Sequence, residues 1–364
     1  MRNKIQSDAV ESIIKNNYQG IIDVAPRVGK SKIAIDSIKK LKKQKILITA
    51  PYNSILDSWE EEFRKWKVAK TKRPKVINQR SLDKVDLSKY DLVISDEIHT
   101  LSDHQLEQLW GKRVLGFSGS ISDKTKKKLQ DNLNIQPIFS YTIDQAIKDN
   151  IISDYEINII PCQLDTTRKY IPGGNKKNPF KTTEFANYNY LTSQFNKFKQ
   201  LAWYNTGKYT PIKYSFASKR ADLLYKSDTK ILACQKLLKT LNRALIFTAR
   251  TEVADILGDA SYHSKVKEDT LSSFIDGDID KLAVCEMTSM GITIPDLKTG
   301  VFHQLKSSEE SAIQKVMRMC NWEDESVATI YIFMYANTQD EIWVRKAIEP
   351  FNQEKIYFLN INNL

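Results

Sequence analysis

Residues Ala25-Pro26-Arg27-Val28-Gly29-Lys30-Ser31 place a bend-forming glycine, a cation and a hydroxyl directly after an apolar run. A turn of this kind between a strand and a helix aims backbone N–H groups and the positive helix end at an anion, and phosphate is the anion it fits. Arg27, Val28 and Gly29 are expected to line the cradle, Lys30 to reach the terminal phosphates and Ser31 to hold Mg2+. The strict pattern asks for a glycine five residues before Gly29, where this chain has Val24. The assignment therefore leans on the strand–loop–helix setting. A second group, Asp96-Glu97-Ile98-His99, follows apolar Leu92 to Ser95. Asp96 at a strand's carboxyl end can hold Mg2+ through its water shell, and Glu97 can orient and deprotonate an attacking water. Asp96 equally suits a helix N-cap with an acidic first turn. A phosphate loop upstream in a parallel α/β setting favours the metal reading.

Those residues need strand ends to hold them, and the surrounding pattern supplies strands. Gly20–Val24, Lys45–Thr49, Asp91–Ser95 and Arg113–Phe117 read as short buried strands. Between them a helix begins near Lys30, and Ser54 to Trp66 carries Ile55, Trp59, Phe63 and Trp66 at helical spacing. Strands alternating with helices predict a parallel sheet covered on both faces. The alternation returns after residue 230, with strands at Arg243–Thr248, Lys281–Cys285, Thr299–Phe302 and Thr329–Phe333. Helices are expected there at Thr229–Leu241, Thr251–Leu257, Ser308–Met319 and Gln339–Ile348.

Residues 168–226 differ, with 13 aromatics and 12 Lys/Arg against only two acids, Glu184 and Asp222. Ile171 to Pro179 reads as a loop, and the part after it as helical. Two readings stand side by side for this module. Its rings could stack on bases while lysines neutralise phosphates, as a strand clamp or a wedge, or they could pack a small helical core.

The whole chain of 364 residues carries 55 basic and 44 acidic side chains, a net +11. Residues 1–150 contribute +9, residues 151–230 +7 and residues 231–364 −5. The imbalance points to a polyanion on the basic part, or to lysine-rich solubility. No apolar run approaches the roughly 18 residues of a membrane helix, and no secretory signal is expected. The four cysteines, Cys162, Cys234, Cys285 and Cys320, are far apart. A disulfide framework or zinc site is not expected, and a cytoplasmic setting fits.

The loop and the acidic pair together resemble motifs I and II of superfamily 2 helicases and translocases, and further motifs follow in order. Gln6 resembles the upstream glutamine that reads adenine. Thr49-Ala50-Pro51-Tyr52 with Trp59 resembles motif Ia, and Phe117-Ser118-Gly119-Ser120 resembles motif III. Ala244–Thr248, Met290–Pro295 and Gln314–Arg318 resemble motifs IV, V and VI. The compact size is similar to phage-encoded DNA helicases, including branch-migration enzymes, and the Trp59 signature is similar to chromatin-remodelling translocases.

The resemblance implies an α/β fold of two tandem RecA-like parallel-sheet domains with the basic, aromatic-rich module between them. Boundaries are expected at 1–160, 161–228 and 229–364. It implies ATP with Mg2+ bound between the domains, DNA as partner (single-stranded, forked or branched, with RNA left open) and a monomer. Glu97, Lys30, Asp96 and Arg318 are the implied catalytic set, with Ser31 and Asp96 on the metal. Gln6 and Gly291 join the nucleotide contacts. Pro51, Tyr52, Arg80, Thr248 and Thr288 are implied to touch nucleic acid, and His99, Ser118, Ser120 and Gln314 to couple hydrolysis to grip. Motif VI departs from the family: Met317 replaces its glycine and Asn321 its last arginine, which leaves Arg318 as the cation. Motif V has Thr293 where an acid or amide is usual. A nucleic-acid-binding protein with this fold and little turnover therefore stands as the alternative to an ATP-driven helicase.

Overall fold

The computed structural model describes residues 1–364 other than 42–43, 52, 120, 175–177, 267–268, 286–293, 295–296, 306–315, 317–326 and 362–364. Two compact units divide the chain, the first built on Met1–Asp154 and the second on most of the residues from Tyr155 onward.

In the first unit, α1 (Arg2–Lys15) leads through β1 (Gly20–Val24) and α2 (Lys30–Lys40) to β2 (Ile46–Ala50) and α3 (Asn53–Lys65). Then come β3 (Lys75–Asn78), β4 (Leu92–Ser95), α4 (Asp103–Leu109) and β5 (Val114–Ser118). The unit closes with α5 (Asp123–Leu133), β6 (Pro137–Tyr141) and α6 (Ile143–Lys148). The strands lie in the order β3-β2-β4-β5-β1-β6, and every neighbouring pair is parallel. All six carboxyl ends therefore share one edge, where α/β sheets collect their functional loops. The central strands are apolar along their length because both faces are covered: β2, β4 and β5 are buried throughout. Helix α2 buries Ile33, Ala34, Ile35 and Ile38 on one face. Ser102 and Thr142 start α4 and α6 with capping boxes closed by Gln105 and Gln145.

Among the described residues, the second unit holds a seven-stranded sheet and a two-stranded ribbon. Here β7 (Tyr155–Cys162) is followed by a hairpin of β8 (Ile171–Gly174) and β9 (Pro179–Thr182). Helices α7 (Glu184–Tyr204), α8 (Thr206–Lys226) and α9 (Asp228–Leu238) come next. The rest comprises β10 (Ala244–Thr248), α10 (Thr251–Leu257), β11 (Ala260–Tyr262), α11 (Thr270–Asp276), β12 (Lys281–Cys285), β13 (Thr299–Phe302) and β14 (Ala328–Tyr335). It ends with a helix at Gln339–Ile348 and β15 (Ile356–Phe358). Strand order is β11-β12-β10-β13-β14-β7-β15. Strand β7 pairs in this second sheet although it starts inside the expected first domain of 1–160, because its neighbours there are β14 and β15.

The stretch read as a loop, Ile171 to Pro179, instead contributes strand β8 and the start of β9. Proline fits there because a two-stranded ribbon has outer edges whose N–H groups need no partner. The bases of α7 and α8 are part of the core: Tyr188, Leu191, Leu223 and Leu224 pack with Leu237, Ile246 and Phe333. Further along, Trp203 and Tyr204 are 86% and 88% exposed. The module's aromatics thus divide between packing and display. Most of the helix expected at Ser308–Met319 lies outside the described residues. No described helix is long and apolar enough to cross a membrane.

Candidate functional site

The carboxyl edge of the first sheet gathers most of the expected residues of that unit. Between β1 and α2, Arg27 and Gly29 both take left-handed conformations, with φ of 69° and 103°. Alternating hand in successive residues turns N–H groups inward to form an anion nest. Gly29 is held there by sterics as well, since an added Cβ would meet Gln6 Nε2 at 2.5 Å. Val28 is fully buried beneath the loop. Gln6, on α1, donates from Nε2 to the Val28 carbonyl at 2.7 Å and so braces the loop. Lys30 and Ser31 open α2.

From the end of β4, Asp96 and Glu97 turn toward this loop. Lys30 Nζ lies 2.5 Å from Glu97 Oε1, in an ion pair that is mostly buried. The other carboxylate oxygen, Glu97 Oε2, is buried with no hydrogen-bond partner among the described residues. His99 Nδ1 is 3.5 Å from it and 2.8 Å from Ser118 Oγ at the end of β5. Glu97 itself is left-handed, with φ of 47°. A non-glycine residue is strained there, and such strain collects where a side chain must be aimed. Asp96 does not cap a helix; its Oδ1 accepts from the Glu97 N–H at 3.1 Å and its Oδ2 from the Trp59 indole at 3.1 Å. Gln79 donates to the Asp96 carbonyl at 3.0 Å and accepts from Thr100 at 2.8 Å.

These contacts set the charge states. Burial disfavours the Lys30 ammonium, but Glu97, Asp96 and Asp23 outweigh it and hold its pKa above the ordinary lysine value. For Glu97 burial alone would raise the pKa, and Lys30 followed by His99 brings it below the usual carboxylate range. Burial, then repulsion from Glu97, pushes Asp96 up to about 6, against the pull of Lys30 and the indole bond. Of two adjacent carboxylates, the one bonded to the ammonium stays ionised. Asp23 on β1 is likewise raised to about 6, first by burial, with Lys126 and Lys30 opposing.

Pro51 directly follows β2, and Arg80, exposed, lies just after β3. Asn78 links them, donating to the Pro51 carbonyl at 3.3 Å and accepting from the Arg80 N–H at 2.9 Å. Thr248, in the second unit, is buried, with its hydroxyl against the carbonyls of Arg250 and Val284. Tyr52, Ser120, Thr288, Gly291, Gln314 and Arg318 lie outside the described residues. Sequence reasoning missed the bracing roles of Trp59 and Gln79, which depend on side-chain direction. It also missed Asp23, which an acid inside an otherwise apolar strand does signal.

Residues 2–130 match the family model of the type III restriction enzyme res subunit, a span that includes the loop and the acidic pair. No curated protein matches the chain by sequence. Among solved structures, Dbp5 of S. cerevisiae bound to RNA and ADP BeF3 is similar over 99% of this chain and 90% of that one, at 12% identity and a TM-score of 0.58. An HsdR subunit fragment of a type I restriction enzyme from Vibrio vulnificus is similar over 99% of this chain and 68% of that one, at 16% identity and a TM-score of 0.58. The chain is built on the tandem RecA-like helicase fold. Another structure with this fold, the type ISP restriction-modification enzyme LlaBIII bound to DNA, is similar over 99% of this chain at 12% identity and a TM-score of 0.59. The match covers 31% of that longer chain. Within the fold, the first RecA-like sheet carries the Lys30–Glu97 pair on its carboxyl edge.

Proposed function

We propose that the chain is a nucleic-acid-dependent ATPase that moves along or remodels DNA. The observation that carries this reading is the set Lys30, Asp96 and Glu97 beside a left-handed loop, with Glu97 Oε2 buried and without a hydrogen bond among the described residues. An orphaned buried oxygen costs about 1–3 kcal/mol, which a water bonded to it would recover. The cradle fits phosphate: two left-handed residues, a helix start and one buried ammonium. Among the described residues no cluster of three or more His, Cys, Asp or Glu could cage a metal ion alone. An Mg2+ ion here would be held partly by phosphate oxygens. Ser31 and Asp96 would hold it, and it would neutralise charge on the phosphates.

In this reading Lys30 leaves Glu97 for the terminal phosphate, and the freed carboxylate orients a water and takes its proton as the new P–O bond forms and the bond to the leaving phosphate breaks. His99, between Glu97 and Ser118, can pass the state of that carboxylate to β5. Arg318, with Gln314 and Gly291, is proposed on the resemblance alone. The match of residues 2–130 to a restriction-enzyme subunit supports DNA over RNA. The test is the ATPase rate measured side by side with no nucleic acid, single-stranded, duplex, forked and four-way DNA, and RNA. Stimulation by a DNA form is expected. DNA binding without hydrolysis would overturn the enzyme reading, and stimulation by RNA alone would overturn the choice of DNA.

A further inference from the structure

A cleft of about 1090 Å3 opens in the second unit between the β8–β9 hairpin and helices α7 and α8. Phe180, Tyr190 and Phe216 line it, with Lys219 and Lys226 on its wall. Phe180 and Tyr190 are 59% and 57% exposed, whereas Tyr188 and Leu191, beside Tyr190 on α7, are buried. Phe180 is held in place: it pairs with Gly173 across the hairpin, where an added Cβ would stand 2.7 Å from the ring, and Gly174 is equally close at 2.9 Å. The two glycines let the ring lie against the opposite strand and keep one side toward solvent. Phe216 is stacked on Phe198 with centroids 5.5 Å apart, and the Lys219 ammonium sits 5.4 Å from its centre.

Charge decides what the cleft suits. The module holds 12 basic residues and two acids over 168–226. Both acids are spent internally. Glu184 is buried, taking hydrogen bonds from Tyr170 and from the Asp165 and Thr229 N–H groups. Asp222, on the cleft wall, is bonded to Arg250 at 2.7 Å and faces Lys226 at 3.4 Å. Among the described residues no carboxylate pairs with Lys219, Lys181, Lys197 or Lys208. Displayed rings interleaved with unneutralised lysines suit a polyanion whose units have flat apolar faces.

We propose that this cleft binds single-stranded DNA, with bases stacked on Phe180 and Tyr190 and the backbone neutralised by Lys219. Paired bases hide their faces in the duplex, so ring stacking selects the unpaired strand. The proposal rests on the DNA partner proposed above and adds a site on the second unit, apart from the nucleotide loop of the first.

The experiment is fluorescence anisotropy of the full chain with a short dT oligonucleotide, without nucleotide, across a salt series. Phe180→Ala and Tyr190→Ala should each weaken binding about 10-fold with an unchanged salt slope. Phe180→Tyr keeps a stacking face and should bind as wild type, which separates stacking from damage to the hairpin. Lys219→Gln should lower the salt slope by about one. ATPase without DNA should be unchanged in all four. Wild-type affinity in Phe180→Ala with Tyr190→Ala combined, while the parent binds the oligonucleotide, overturns the cleft and leaves the ATPase proposal standing. Equal losses for single-stranded and duplex probes would also overturn it. A parent that binds no DNA overturns both.

Discussion

Asp23→Asn should stabilise the protein, and the gain should grow with pH. Asp23 lies on β1 between Ile22 and Val24, in register with Ser118 on one side and Ser140 on the other. Its carboxyl group titrates at about 6 in the folded chain against 3.8 ordinarily, because burial disfavours the charge more than Lys126 and Lys30 favour it. The native state therefore binds the Asp23 proton more tightly than the unfolded state does. Below 3.8 the group is protonated in both states and the stability it contributes is fully present. That stability is lost as pH rises from there through about 6. Each tenfold change in proton affinity is worth about 1.4 kcal/mol, so the ionised carboxylate costs roughly 3 kcal/mol above pH 7. Asparagine keeps the shape and removes the charge. Urea unfolding of both proteins at pH 4, 6 and 8 measures the difference, which should be smallest at pH 4 and largest at pH 8. A difference independent of pH, or a wild type that gains on the variant as pH rises, would refute the reasoning. The carboxylate also helps keep Lys30 charged, so the destabilising group serves the loop.

The indole bond to Asp96 yields a second expectation. A hydrogen bond to a charged group is worth about 1.5–3 kcal/mol, so Trp59→Phe should raise the Mg2+ concentration for half-maximal ATPase by about 10-fold or more; an unchanged Mg2+ titration would reduce Trp59 to packing against Phe63. In the second unit, Lys230 and Asp340 form a fully buried ion pair at 2.5 Å, joined by Gln304. Asp340→Ala should cost about 3–5 kcal/mol in urea unfolding, while Lys230→Met combined with Asp340→Leu should recover most of it. Equal losses in the single and double variants would contradict this. Gly116→Ala would drive a Cβ to 2.4 Å from Ile98 Cδ1 and 2.9 Å from its Cγ2. It should lower stability by about 1–3 kcal/mol, and adding Ile98→Ala should relieve the crowding; no relief would show that the strand had moved instead.

What the sequence made legible follows from burial. Strands β1, β12 and β13 have the expected bounds, and β2, β4, β5 and β10 lie within a residue of theirs, because strands covered on both faces read as short, largely apolar runs. Edge strands lack that signal: β3 is Lys-Val-Ile-Asn, and β15 leaves Tyr357 and Phe358 exposed. The β8–β9 hairpin was hidden by prolines and glycines that read as a loop and in fact serve its edges and its ring contacts. Lys30, Asp96 and Glu97 could be found because Lys30 opens the helix after a strand–loop turn and the acids follow a strand directly. Their bracing could not. The Trp59 indole reaches Asp96 from 37 residues away, and nothing in a helical apolar spacing says where its N–H points. The same limit hid the turn of Glu97 into the left-handed region, a conformation that a glutamate gives no sign of adopting.

The central claim is that Glu97 activates water on a nucleotide held by the loop at Lys30. Glu97→Gln tests it most directly, with nucleotide binding and ATP hydrolysis measured on the same DNA-bound sample. ATP should still bind, and hydrolysis should slow by about 10²–10⁴-fold, the usual contribution of a general base. Hydrolysis within a few-fold of the wild-type rate would contradict it.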